Sequence, residues 1–175
     1  MRLSEGVEWT VHCCVLLSAV PAGECLPGAR LAEFHGVPAP YLAKHLQALT
    51  RACVLESVPG PSGGYRRARP ASEISVLDVV EAIDGSQPAF TCHEIRRRGP
   101  AGGLPARAYT RPCGIHALMD EADAAWRAPL KATTIGDLAL QVARTAPPAS
   151  MLKSAAWFQE IKRPTSQDSK ERTSP

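Results

Sequence analysis

The chain has 175 residues, 45% of them hydrophobic, and carries 20 basic against 17 acidic side chains for a net charge of +3. That is material for one domain with appendages and a buried core, and no apolar run approaches the roughly 20 residues of a membrane span. Six cysteines at uneven spacing, behind an N-terminus with no charged-then-apolar leader, argue against a disulfide framework and for reduced thiols in a cytoplasmic protein, some of them able to ligate metal.

Residues 4–20 read as a first helix, with Ser4 as N-cap and Val7, Val11, Cys14, Val15 and Ala19 on its inner side. Cys13 and Cys14 read as small buried hydrophobes, and Glu5 and Glu8 lie near the positive end of the helix dipole. Cys25 falls in a Pro/Gly-rich connection, after which a short helix over 29–34 ends at Gly36, with His35 beside that end. Pro38 suits the first turn of the next helix, in which Leu42, Leu46 and Leu49 follow at helical spacing and lead into Val54 and Leu55. Its other face carries Pro40, Lys44, Gln47 and Arg51, with Tyr41 and His45 at the margins: donors rather than acids. Cys53, in the bend that follows, is expected in the core.

A strand over 54–58, a turn over 59–64 with the Gly63-Gly64 pair, and a return through Tyr65, Arg66 and Arg67 make a short basic ribbon. Helix plus Gly-tipped ribbon is the layout of a winged helix-turn-helix, the helix entering a major groove and the wing touching flanking phosphate. The expected fold is therefore mainly α with a small β-wing. Between positions 37 and 70 five basic residues (Lys44, Arg51, Arg66, Arg67, Arg69) face one acid, Glu56, a net of +4, so the remainder of the chain sums to −1. The positive field is local, as a phosphate-binding face requires.

A fourth helix is expected over 74–83, with Ile74, Leu77, Val80 and Ile83 inward and Gly85 as its stop. From 86 to 112 the helical period vanishes; the stretch holds Arg96-Arg97-Arg98, is bracketed by Cys92 and Cys113, and is long enough to be disordered or functional. The bracketing cysteines favour function. Periodicity returns over 114–127, with Ile115, Leu118, Met119, Ala122 and Trp126 on one side. With no domain core left to cover, this long helix is expected to pack on its twin in a homodimer. A closing helix follows over 135–142, and from 144 Pro, Ser, Thr and Lys point to a mostly disordered tail in which Trp157-Phe158 has no evident role. The expected organisation is a DNA-binding domain (1–85), a cysteine loop (86–113), dimerisation and closing helices (114–143) and a tail (144–175).

Met1-Arg2-Leu3-Ser4, the stretch from Leu31 through Val37-Pro38-Ala39-Pro40-Tyr41-Leu42, Gly60-Pro61-Ser62-Gly63-Gly64-Tyr65, and Ile74-Ser75-Val76-Leu77-Asp78-Val79-Val80 together resemble the Rrf2 family of bacterial transcription regulators, over positions 1–142. The resemblance implies a homodimeric winged-helix regulator that binds double-stranded DNA through Pro38, Pro40, Tyr41, Lys44, Gln47 and Arg51 of the helix and Gly63, Gly64, Tyr65, Arg66 and Arg67 of the wing. It also implies a sensor of redox state, nitric oxide or iron–sulfur status that uses an iron–sulfur cluster. Pro59 and Ala43 depart from the family pattern at a wing and a helix position, so base preferences are not carried over.

Members with clusters usually hold three cysteines in the loop; only Cys92 and Cys113 stand here, so two further ligands must be recruited for a [2Fe–2S] centre. The candidates are His93, His116, His35, Glu8 and His12. Cys113 and His116 are similar to the Cys-x-x-His ending of one branch, and a carboxylate of the first helix serves another. An actinobacterial redox-sensing branch is more similar still, and implies Cys92 and Cys113 of one chain with Glu8 and His35 of the other. Cys92, His93, Cys113 and His116 as a structural zinc site is the other arrangement that spacing allows. With no P-loop, G-x-S-x-G, dinucleotide fingerprint or Cys-x-x-Cys, neither an enzyme nor a small-molecule substrate is expected. The competing function is a cluster-free or zinc-bearing winged helix that binds another protein.

Overall fold

The computed structural model describes residues 2–100, 102–111 and 113–162. Residues up to Ala139 form one compact unit and those from Leu140 a second. In the first unit three helices, α1 (Glu5–Ser18), α2 (Gly28–His35) and α3 (Ala39–Arg51), precede a two-stranded antiparallel ribbon, β1 (Leu55–Val58) and β2 (Gly64–Arg67). Then come α4 (Val76–Asp84), a long loop, α5 (Gly114–Ala132) and the start of α6 (Ile135–Thr145).

On α3 the core lies where the helical period places it. Leu42, Leu46 and Leu49 of α3 are fully buried, as are Leu31, Val54 and Leu55. On α1 the buried stripe is Val7, Thr10, Cys13, Cys14, Leu16 and Leu17, whereas Val15 is half-buried and Ala19 exposed, a phase shifted from the sequence expectation. Ser4 occupies the N-cap position without capping: its hydroxyl and backbone N–H both donate to the Asp84 carboxylate, at 2.5 and 3.0 Å, tying the start of α1 to the end of α4. Thr10 escapes an unsatisfied burial by donating to the Gly6 carbonyl at 2.7 Å.

Helix α4 begins two residues later than the apolar pattern suggests, because Ser75 and Asp78 form a capping box. Ile74, outside the helix, is nonetheless fully buried, and its carbonyl accepts the Ile135 N–H at 2.8 Å.

Cys53 is not in the core. It is exposed, with φ of 54°, at the left-handed position that ends α3. The Val54 N–H bonds the Leu49 carbonyl and the Cys53 N–H that of Thr50, the paired bonds that usually demand glycine one residue past a helix. Gly36 fills the equivalent place after α2, with φ of 64°. A left-handed non-glycine residue costs about 1–2 kcal/mol, partly offset by glycine's greater freedom when unfolded. Cys53→Gly is therefore expected to raise stability by about 1 kcal/mol, read as a higher denaturant midpoint at unchanged slope.

Helix α5 does find domain core to cover, contrary to the sequence expectation. Trp126 and Leu130 in its second half pack with Val7, Val76 and Val80 in the same chain, and Arg127 bonds Glu81 and Asp123. In its first half Ile115, Leu118 and Met119 are 60%, 62% and 41% exposed, so only this half presents an uncovered apolar stripe. In the second unit, α7 (Pro148–Lys162) stands where the sequence reading placed disorder; its run of Ala, Met, Leu and Lys supplies strong helix formers, and Pro148 sits at the start where proline is tolerated. The last positions of that expected tail, 163–175, lie outside the described residues.

Candidate nucleic-acid interface and cysteine loop

Helix α2 stops at Gly36, and Val37-Pro38 turns the chain directly into α3. The buried leucine stripe holds one side of α3, leaving Pro40, Tyr41, Lys44, Gln47 and Arg51 exposed on the other. Tyr41 is 66% exposed. His45 belongs to neither face. Its ring meets Trp9 edge-on, with centroids 6.1 Å apart, and lies over Gly6, where an added Cβ would come within 2.4 Å of the imidazole. Gly6, which the sequence did not single out, thus lets α1 approach the recognition helix.

The wing is pinned to the body by more than its turn. Leu26 and Tyr65 exchange backbone hydrogen bonds of 3.0 and 2.8 Å, and a Cβ on Gly64 would lie 2.2 Å from the Leu26 carbonyl oxygen. The hairpin register sets Glu56 opposite Arg66, and the guanidinium donates two bonds of 3.0 Å to that carboxylate. The pairing holds the Glu56 carboxyl below its usual range and raises Arg66 further. Arg69 is likewise bound to Asp78, at 2.8 Å. Arg67 donates to the Val20 carbonyl at 3.3 Å. Among the described residues no acid pairs with Lys44, Arg51 or Arg67, so the positive face is narrower than the sequence count.

The cysteine loop has little apolar packing: Ile95 and Leu104 are 73% and 59% exposed. Its structure is polar. Cys92, half-buried, accepts the Glu94 N–H at 3.4 Å. Cys113 stands at the N-cap of α5, where the backbone N–H groups of His116 and then Ile115 reach its sulfur and, with Arg96 nearby, hold the thiol below its usual range. Arg96 is adjacent to both sulfurs electrostatically. His93 is exposed, while His116 faces Asp120, with Nε2 3.3 Å from the carboxylate and a buried Nδ1 that has no hydrogen-bond partner.

A second group of potential ligands lies on the α1–α2 surface. Glu8 is exposed; His12, one turn along, has its ring 5.8 Å from that of His35. Burial, and after it the neighbouring His12, pushes the His35 pKa down to about 4, leaving a neutral imidazole whose buried Nε2 has no hydrogen-bond partner. Neutral imidazole is the metal-binding form. The other thiols are poor candidates. Burial raises Cys13 to about 12 and Cys14 beyond it, and the Cys25 thiol donates to the Ser62 carbonyl at 3.2 Å.

Cys92 and Cys113 thus share one loop, and Glu8 and His35 share another surface. Among the described residues no three His, Cys, Asp or Glu side chains converge on one metal position within a single chain. That applies equally to Cys92, His93, Cys113 and His116. The donors nonetheless fit a metal group chemically: a thiol favoured as thiolate, a second beside the same arginine, and a neutral imidazole with a spare lone pair.

No described helix is long and apolar enough to cross a membrane. The Rrf2 family model, described as an iron-dependent transcriptional regulator, matches residues 3–141. Protein aau3 of Rhizobium meliloti (strain 1021) is 35% identical over 139 residues, 79% of this chain and 84% of that protein. The HTH-type transcriptional regulator IscR of Vibrio atlanticus (strain LGP32) is 33% identical over 113 residues, 65% of this chain and 60% of its own length. Among solved structures, CymR (YrzC), the global cysteine regulator of B. subtilis, superposes with a TM-score of 0.62 at 17% identity, over 81% of this chain and 98% of that one, which speaks for the fold. With a family match over most of its length, and with the helix and wing that such regulators present to DNA, this chain belongs to the Rrf2 family of transcriptional regulators and is not an enzyme.

Proposed function

We propose that this regulator is a cytoplasmic homodimer that senses redox state, nitric oxide or iron–sulfur status through a [2Fe–2S] cluster, held by Cys92 and Cys113 of one protomer with Glu8 and His35 of its partner. The observation that carries the reading is His35: a half-buried, neutral imidazole whose buried Nε2 has no hydrogen-bond partner, one residue before the Gly36 turn into α3. When bound, such a cluster supplies a centre that changes charge by one electron, and a histidine among its ligands raises its potential relative to an all-cysteine site.

The chain's own part is mechanical. His35 is the last residue of α2, and only Gly36, Val37 and Pro38 separate it from the recognition helix. A pull on its imidazole therefore reaches α3 through a turn whose two backbone bonds, from Gly36 to Glu33 and from Val37 to Ala32, leave little slack. The exposed half of α5 offers the apolar stripe for the twin. Two recognition helices related by a two-fold axis would read a near-palindrome, with half-sites roughly 34–36 Å apart.

Tyr41 and Gln47 would then read the major groove, with Lys44 and Arg51 on its phosphates and Gly63, Gly64, Tyr65 and Arg67 at the wing. Lys44→Ala is expected to weaken operator binding about tenfold and Arg66→Ala less than about threefold, since Glu56 already neutralises Arg66; fluorescence anisotropy on one duplex compares them. The reading itself is tested by selecting genomic fragments with anaerobic protein before and after removal of its metal. The expected result is a near-palindromic site whose occupancy differs between the two forms. Equal occupancy would contradict sensing, and recovery of no fragment by either form would favour the protein-binding alternative.

A further inference from the structure

The two cysteines lie at opposite ends of a long excursion with little apolar packing, yet Arg96 reaches both ends. Its Nε and Nη2 donate to the Glu94 carboxylate at 2.5 and 2.8 Å, and Nη2 also donates to the Arg111 carbonyl at 3.1 Å. Glu94 is two residues from Cys92, and Arg111 two from Cys113. We propose that Arg96 is a positioning residue: it clasps the two arms of the loop so that Cys92 and Cys113 are presented together to one ligand, an inference that rests on reading this loop as half of a metal site.

Several details converge on this clasp. The Tyr109 hydroxyl donates to the Arg96 carbonyl at 3.1 Å, and the Arg96 and Arg97 guanidinium carbons lie 5.6 and 5.3 Å from its ring centroid. The arginine is thereby oriented from behind, with its fork directed at the two arms. Glu94 adopts a left-handed φ of 48°, rare for a residue with a Cβ, and in that conformation gives its N–H to the Cys92 sulfur while its carboxylate holds Arg96. A Cβ on Gly102 would lie 2.5 Å from the Arg97 carbonyl oxygen, so the chain closes tightly over this turn.

A planar guanidinium holds donors on separate nitrogens at fixed angles, so Nε and Nη2 bond both carboxylate oxygens while Nη2 also reaches the carbonyl, a span that the single nitrogen of an ammonium does not reproduce. Lysine would retain the charge and lose the bridge, which separates positioning from simple electrostatic support of the thiolates.

The test uses metal-free full-length protein with Cys25→Ser and Cys53→Ser, which leaves Cys92 and Cys113 beside the buried Cys13 and Cys14. The probe is phenylarsine oxide, which condenses with two neighbouring thiols: two As–S bonds form, and the oxide oxygen leaves as water with both thiol protons. Its affinity is read by competition with dithiothreitol under native mass spectrometry. Arg96→Gln and Arg96→Lys should each lower it about tenfold, as the effective concentration of one thiol at the other falls, while the melting temperature and DNA affinity of the metal-free protein hold. Unchanged affinity in Arg96→Gln, or full rescue by Arg96→Lys, overturns the proposal. If an Arg96 variant fails to fold, Glu94→Gln removes the same pair from its other end and is held to the same criterion.

Anaerobic reconstitution with iron and sulfide, followed by the rate of bleaching in a chelator, is the second readout, expected to quicken several-fold in the variants. Altered arsenical affinity in a protein that takes up no cluster upholds the clasp and removes the cluster reading. Unaltered affinity with equal bleaching in a cluster-loaded protein removes the clasp and leaves the cluster reading in place.

Discussion

Operator affinity is expected to fall about a thousandfold as monovalent salt rises from roughly 50 to 200 mM. The figure follows from counting charges that the protein has not already neutralised. Arg66 and Arg69 are committed to Glu56 and Asp78, leaving Lys44, Arg51 and Arg67 on each protomer. A dimer then displaces counterions from about six phosphates, with a slope near −5 in a double-logarithmic plot. Counting every basic residue of the segment would give about ten contacts and a slope near −9. Lys44→Ala should reduce the slope by roughly two, one unit per protomer, and weaken binding to all sequences alike. Anisotropy titrations at several salt concentrations check both. A slope near −9 would mean that Arg66 and Arg69 abandon their carboxylates on DNA, and a salt-independent interaction would speak for a protein partner.

Cys113→Ser is expected to abolish metal loading outright, and His35→Ala to do the same, whereas His116→Ala should leave iron content and visible spectrum intact. Backbone N–H groups at the N-cap of α5 hold the Cys113 thiol below its usual range, and His35 carries a buried lone pair without a partner. His116 also has an unpartnered ring nitrogen, but its other nitrogen faces Asp120 on α5, remote in sequence from the turn into α3. Iron, sulfide and spectra of the three variants, prepared anaerobically side by side, decide the matter. The opposite pattern, with His35→Ala coloured and His116→Ala colourless, would replace the shared site by a Cys-x-x-His arrangement within the loop.

The recognition helix was legible because its leucines repeat at helical spacing and Pro38 marks its start; Leu42, Leu46 and Leu49 are all fully buried. The wing was legible from its glycines and flanking strands. Its charge was not, because the Glu56–Arg66 pair depends on hairpin register, which a turn of uncertain length leaves open. Cys53 misled for a related reason. A small apolar residue in an apolar bend reads as core, and nothing in its identity signals a left-handed helix end usually reserved for glycine. The phase of α1 slipped because Thr10 is buried by bonding back to Gly6, which periodicity counts as polar surface. Helix α7 was missed because the whole tail was judged by its proline and serine content, although 148–162 is made largely of helix formers.

Of the candidate site, Cys92 and Cys113 could be found by their position around an aperiodic loop. Glu8 and His35 came from resemblance alone, since residues on α1 and α2 show no sequence signal of partnership with a distant loop. Arg96 stood in a run of three arginines that are identical in sequence terms. Only the placement of Glu94, Tyr109 and Arg111 around it distinguishes it from Arg97 and Arg98.

Whether a [2Fe–2S] cluster sits in this Rrf2 regulator is decided by the visible spectrum of anaerobically purified protein together with its iron, acid-labile sulfide and zinc content. The protein is expected to be brown, with iron and sulfide in equal amounts and no zinc. A colourless protein, metal-free or loaded with zinc, would contradict the cluster reading.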